Sequence, residues 1–317
     1  HRCSPRKSWF SSALQFSPFK NKFELAYVMK IGIYFIGILL SVSSNIVAQR
    51  LQGKVVAPLS GRRNVERMLA IDTAYIRILY AFNAEDINNP ETYIDLQRLE
   101  IGKYYSKYYS QFVFNNDSLV WTWLKKHPNS RTVPMKIGPL GSKPAFWSEY
   151  KYSEYFKDYK ANLLTEYARM PRQHRIPNCK YSEYIPVQNW VIQNDTLTVN
   201  GYLCQKATCE FRGRNYIAWF SMDIPISNGP WKFGGLPGLI LKVYDHEQLY
   251  TFECVEVEHF KFPIKRYDFQ EYKQIGRLKL LKYQRMLNEN FYKAAGLMPI
   301  NGGRFPSSVL YEPLELQ

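Results

Sequence analysis

The stretch Gly229-Pro-Trp-Lys-Phe-Gly-Gly-Leu-Pro-Gly-Leu-Ile240 constrains the fold more than any other part of the chain. Glycines and prolines sit among aromatic and aliphatic side chains. That mix is neither helix nor regular strand, because proline fixes φ and glycine admits positive φ. Pro237-Gly238 fits the two central positions of a type II turn, which predicts φ of about +80° at Gly238. Leu236 and Leu239 are its apolar shoulders, and Leu239–Asp245 directly after it reads as a strand. Two uses compete for such a stretch: a rigid corner that feeds the strand, or a loop that touches a ligand.

The flanking sequence is rich in strand signals. Tyr75–Phe82 alternates, with Ile76, Ile78, Tyr80 and Phe82 on the core face. Further strands are expected over 93–101, 163–168, 179–185, 203–211, 215–222 and 249–257, with short ones at 189–193 and 196–199. Asn200-Gly201 is a strong hairpin signal. The run 103–110 is aromatic and basic and reads as a strand with half-buried tyrosines or as a stacking platform for sugar rings. A short helix is expected near Leu119–Lys126, and 150–159 is ambiguous between helix and strand. After Pro263 the period changes: Leu280, Tyr283, Leu287, Phe291 and Ala294 recur at helical spacing over 275–295, and Gly296 supplies a C-cap. These elements predict an α+β chain, mostly antiparallel β. A strongly curved sheet would carry a long C-terminal helix packed on it.

Met29-Lys30, an apolar run from Ile31, and Ile46-Val-Ala48 have the pattern of a secretory signal peptide over 29–48. Residues 1–28 precede that start and are read as a non-native upstream segment or a long leader, which leaves 49–317 as a single domain. The chain carries a formal charge of +15; residues 1–48 hold six Lys or Arg and one Glu, so the remainder carries +10. That excess favours acidic partners such as glycans, lipid head groups or acidic proteins, whereas nucleic acid is excluded for an exported chain. No transmembrane span is expected in the mature chain. Export would bring Cys179, Cys204, Cys209 and Cys254 into an oxidising compartment, where an even count predicts disulfides.

No nucleophile elbow, zinc-protease motif or phosphate-cradling loop is present, so no catalytic residue, cofactor or metal is assigned. Asp245 beside His246, and Glu256 and Glu258 beside His259, could form an acid–base pair or half a metal site, but neighbours on a strand face opposite ways. The candidate ligand-binding set is Arg214, Trp219, Asp223, Trp231 and Lys232: indole faces with two cations suit an acidic or sugar ligand. The competing structural account has Arg214 paired to Asp223 and Trp219 in the core.

The signature Gly235-Leu-Pro-Gly-Leu-Ile240 resembles that of the GLPGLI family of exported bacterial proteins. The likeness extends upstream through Gly201-Tyr-Leu-Cys-Gln-Lys-Ala-Thr208, Phe211-Arg-Gly-Arg214, Ala218-Trp219 and Asp223-Ile-Pro-Ile-Ser227 into Gly229-Pro-Trp-Lys-Phe233. Leu99-Glu-Ile-Gly102 with Ser106 resembles the family's N-terminal half, and Tyr311-Glu-Pro-Leu-Glu315 resembles its usual ending, with Glu312 where Asn is more familiar. The resemblance implies a bowl or half-barrel. It also implies a place in the periplasm or at the outer-membrane surface of a Gram-negative bacterium, beside an outer-membrane uptake receptor. It carries no settled activity. Three functions stay open: a binding or accessory module for a glycan, peptide or other acidic ligand; a hydrolase with an unrecognised site; and an envelope-assembly partner that pairs through a sheet edge.

Overall fold

Alternation sets the central strand as expected. β1 (Leu69–Ala84) turns Ile76, Ile78, Tyr80 and Phe82 into the core. The computed structural model describes residues 57–134, 136–143, 147–297 and 307–317; the expected leader at 29–48 and the segment before it lie outside the described residues.

To one side of β1 follow β2 (Tyr93–Gly102), β3 (Tyr105–Ser110), β4 (Ser153–Asp158), β5 (Leu163–Ala168) and β6 (Cys179–Tyr184). To the other side follow β11 (Thr251–Glu258), β10 (Leu239–Asp245), β9 (Arg214–Ser221), β8 (Tyr202–Phe211) and β7 (Val191–Val199). All these pairings are antiparallel. β12 (Phe262–Arg266) lies along the first part of β1, and β13 (Lys273–Gln274) adds a short parallel pairing to β6. Two meanders of consecutive strands therefore meet along β1 and β11. Between β7 and β8, Asn200 and Gly201 both take positive φ (47° and 82°), the type I′ geometry that their sequence called for.

The sheet is open, because its path ends at β13 and β7 without closing. It is nevertheless curled. β6 and β9 stand eight strands apart, roughly 38 Å in a flat sheet at about 4.8 Å per strand. Yet Arg212, in the β8–β9 turn, reaches Glu183 on β6 at 2.7 Å. Only a bowl brings those strands within side-chain reach. The principal core fills the bowl, and the loop between β9 and β10 contributes Trp231, Phe233 and Leu236 to it.

Three helices complete the described fold. α1 (Gln111–Lys126) begins eight residues earlier than expected. Ser110 caps it by accepting the Val113 N–H at 3.0 Å, and its buried face includes Asn116 and Asp117. Those two polar residues hid the apolar period from the sequence. α2 (Glu149–Tyr152) followed by β4 resolves the ambiguous 150–159 segment into a helical turn and a strand. α3 (Arg277–Ala294) matches the expected C-terminal helix and packs on β5 and β6 through Leu280, Leu287 and Phe291. Burying Leu280 and Leu287 completely contributes about 1.5–3 kcal/mol each. The helix kinks at Asn290 (φ −161°, ψ 90°), whose side-chain oxygen accepts the Lys293 N–H at 3.1 Å.

Two expectations are corrected. Gly238 does not have positive φ; Trp231 (φ 52°) and Gly235 (φ 83°) do. Gly238 is glycine for lack of space, since a Cβ there would stand 2.0 Å from the carbonyl oxygen of Ser221. Ser221 is the β9 partner of Leu239, so the loop enters β10 by direct contact of two backbones. The cysteines form no disulfide: Cys179, Cys204, Cys209 and Cys254 are all free and buried. Cys179 packs in the cluster under α3, whereas the other three lie in the principal core. Burial pushes the Cys209 and Cys254 thiols up to about 12, so they act as small apolar residues rather than reactive thiols.

Candidate functional site

The structure divides the five residues expected to bind ligand. Trp231 is buried and stacks edge-on against Phe211 and Phe233, with ring centroids 5.8 and 5.1 Å away. Lys232 is also buried; its ammonium meets the Glu315 carboxylate and the Tyr181 hydroxyl, with Glu166 at 3.6 Å. Arg214 is buried against Asp245 at 3.2 Å and not against Asp223, which is exposed. Trp219 is half-buried, opposite Lys206 on β8 and Lys242 on β10. Trp231 and Lys232 therefore face the core, not an open site, and Arg214 joins them beneath the chain end.

That end, Tyr311–Gln317, lies across the bowl as an extended segment. The Arg214 guanidinium donates to the Pro313 carbonyl at 2.7 Å, and the Tyr216 hydroxyl donates to Leu314 O at 3.2 Å. Glu315 also meets Arg277 at 2.5 Å and Arg212 at 3.7 Å. Burial alone would raise its carboxyl, but Lys232, Arg277 and Arg212 outweigh burial and hold it below the ordinary range. The charges converging inside the bowl thus satisfy one another.

Carboxylates also converge there. Glu149 and Glu166 line a void of only about 20 Å³ together with Glu315. Such a void has room for one water and none for a substrate. Burial pushes Glu149 up to about 7, opposed by hydrogen bonds from the backbone and from Asn288 (2.9 Å). Its folded pKa is therefore raised above the ordinary 4.5. Between those two values the folded chain holds a proton that the unfolded chain has released. Stability falls as pH rises through that window, and about 3 kcal/mol is lost by pH 7.5. Glu149→Gln keeps an acceptor for Asn288 and removes the titration. Its melting temperature should match the parent's at pH 5 and exceed it at pH 8. An equal offset at both pH values would refute the assignment.

The two histidine–carboxylate pairs noted in the sequence do not assemble either. Asp245 is buried on Arg214 and accepts the Tyr250 N–H at 2.7 Å, while its neighbour His246 is exposed. His259 is exposed as well. Among the described residues no three His, Cys, Asp or Glu side chains are grouped so as to hold a metal ion. No helix among them is long and apolar enough to cross a membrane.

An open concavity lies elsewhere, between α3 and the β13 edge, with a volume of about 440 Å³. Pro177, Cys179, Ile275, Tyr283 and Met286 supply its apolar lining. Lys273 comes from the strand side, and Lys279 and Lys282 from the helix. Lys279, Lys282, Tyr283 and Met286 are spaced i, i+3, i+4 and i+7, which puts them on one helical face. The lysines act on the floor: burial raises the Cys179 thiol, and Lys273 and Lys279 oppose that rise. Among the described residues no carboxylate lines the groove. Sequence reasoning missed this site. Its signal was the second, half-exposed stripe on the helix, in which Tyr283 and Met286 sit beside two lysines.

Residues 212–242 match the family model described as "Protein of unknown function (Porph_ging)". The GLPGLI resemblance is shown over that segment. The match begins in the β8–β9 turn, includes β9 and the whole signature loop, and ends within β10. No curated protein matches the chain. Two solved structures of PNGF-II, in its P21 and C2 space groups, align with TM-scores of 0.43 and 0.42 at 16% identity. Each alignment covers 67% of this chain and 33% or 32% of the other, so this chain spans about a third of their length. At those scores the likeness carries no argument about fold or function.

Proposed function

We propose that this GLPGLI-type chain is a binding or accessory module and that the groove between β13 and α3 receives an acidic ligand. The groove itself carries the proposal: an open, largely apolar concavity with lysines from two walls and no acid among its described lining residues. Pockets of this size with a few placed polar groups are where small ligands bind. A hydrolase needs an acid, a base or a nucleophile within reach of substrate. Here the convergent carboxylates line a void too small for a substrate, and among the described residues no carboxylate or histidine lines the groove. Edge pairing at β7 is disfavoured by its irregular register, since its pairing to β8 breaks between Ile192 and Thr196. Such a bulge interrupts the template an incoming strand would need.

Export belongs to the same proposal, on the strength of the signal pattern before Gln49 and the family resemblance. The mature domain would then span 49–317 and work in the periplasm or at the outer-membrane surface, beside an uptake receptor. N-terminal sequencing of envelope protein should begin at or near Gln49; a start at Met29 would overturn export.

Calorimetric titration with an acidic peptide, a sulfated glycan and an alkyl phosphate tests the groove. At least one should bind, with affinity that falls as salt rises. Binding should be lost in Lys273→Gln/Lys279→Gln/Lys282→Gln while the melting temperature stays within a few degrees, because all three lysines are exposed. Undiminished binding by the triple variant would exclude this groove.

A further inference from the structure

The groove's lining narrows the ligand class. Besides its three ammonium groups, the polar side-chain atoms it offers are the Tyr283 hydroxyl and the Cys179 thiol, and that thiol is turned to the Pro177 carbonyl at 3.4 Å. Among the described residues no Asn, Gln, Ser, Thr, Asp or Glu lines it. Its ammonium groups donate but few side-chain acceptors stand beside them, so the N–H groups of a peptide or the several hydroxyls of a sugar ring would be left partly unpaired, at a cost for each one buried. An alkyl chain brings none. The cations, in contrast, need an anion: Lys279 and Lys282 sit one turn apart on α3, and Lys273 faces them from the strand side. Lys273 pairs with Cys179 across β13 and β6, which sets one cationic patch at the floor of the groove. Apolar surface continues past that patch to Met286, seven residues along the helix from Lys279.

We infer that the groove takes a single-chain amphiphile with an anionic head. The chain lies over Ile275, Tyr283 and Met286, and the carboxylate, sulfate or phosphate is held among Lys273, Lys279 and Lys282. This inference rests on the groove being the ligand site proposed above. Lysine suits such a head as a point charge that does not demand one planar geometry. Each methylene buried in the groove tightens binding by up to about fourfold.

The test is calorimetry on the full chain with inorganic phosphate, hexyl phosphate and dodecyl phosphate, each below its micelle concentration, and with vesicles containing an anionic phospholipid. Dodecyl phosphate should bind at least tenfold more tightly than hexyl phosphate, and inorganic phosphate should give no measurable heat. Met286→Asp, at a position already 41% exposed, should cost dodecyl phosphate at least tenfold without lowering the melting temperature. Lys279→Gln/Lys282→Gln should weaken both alkyl phosphates alike. Equal affinity for the two chain lengths would overturn the amphiphile and leave the acidic-ligand proposal standing. Dodecyl phosphate binding that ignores the lysine substitutions would overturn both. Binding to the vesicles alone would replace a monomeric amphiphile with a membrane surface and overturn the inference.

Discussion

Lys232→Met is expected to destabilise the protein by about 3–5 kcal/mol, the range for removing one partner of a buried ion pair. The Lys232 side chain has no solvent exposure, and the Glu315 and Glu166 side chains have 2% each. Removing the ammonium leaves Glu315 to Arg277 and Arg212 alone and leaves Glu166 with only neutral donors, Ser153 and Gln284. Methionine fills the volume, so the loss is one of charge rather than of packing. Urea melts at pH 7 on Lys232→Met, Glu315→Gln and the double variant would measure it. The double variant should recover about 1 kcal/mol or more relative to the sum of the singles. A single-variant cost below about 1 kcal/mol would put this ammonium in contact with water and contradict its burial.

Gly238→Ala should be nearly as damaging. Its new methyl would meet the Ser221 carbonyl oxygen at 2.0 Å and the Ser221 carbonyl carbon at 2.6 Å. Both are backbone atoms at the end of β9, paired to β10, and no rotamer change can relieve them. Overpacking of side chains typically costs about 1–3 kcal/mol, and an immovable backbone places this variant at or above the top of that range. Gly235→Ala is the control. Gly235 has φ of 83°, but its nearest atom to an added Cβ is 3.8 Å away on Trp190. Only left-handed strain applies there, about 1–2 kcal/mol. Thermal melts should therefore rank Gly238→Ala below Gly235→Ala. The type II turn anticipated at Pro237-Gly238 would give the reverse order.

Local pattern was enough for the parts of this fold that depend on local pattern. Period two placed Ile76, Ile78, Tyr80 and Phe82 inward, period 3.6 placed Leu280, Leu287 and Phe291 on one helical face, and Asn200-Gly201 named its own turn. The signature loop could not be read in this way. Whether Lys232 faces water or core depends on Glu166 and Glu315, 66 and 83 residues away, which no window includes. Gly238 was seen as special, but for a conformation rather than for a neighbour, because the carbonyl that forbids a side chain belongs to Ser221 on another strand. The groove was the hardest to foresee. Pro177 and Cys179 reach it only because β13 pairs with β6 across nearly a hundred residues.

The meeting of two meanders along β1 and β11 has a consequence for how the chain reaches this shape. Within each meander most strands pair with their sequence neighbours, so hairpins can form over short closures of the chain. The β1–β11 pairing instead joins Arg77 to Glu258, across 181 positions. Closing so long an interval gives up chain entropy before any contact compensates it, and distant pairings of this kind slow the folding of β proteins. Refolding should therefore show early, independent protection of backbone amides in β8–β9 and in β4–β5. Protection of the amides linking β1 to β11 should appear last, in the step that limits the rate.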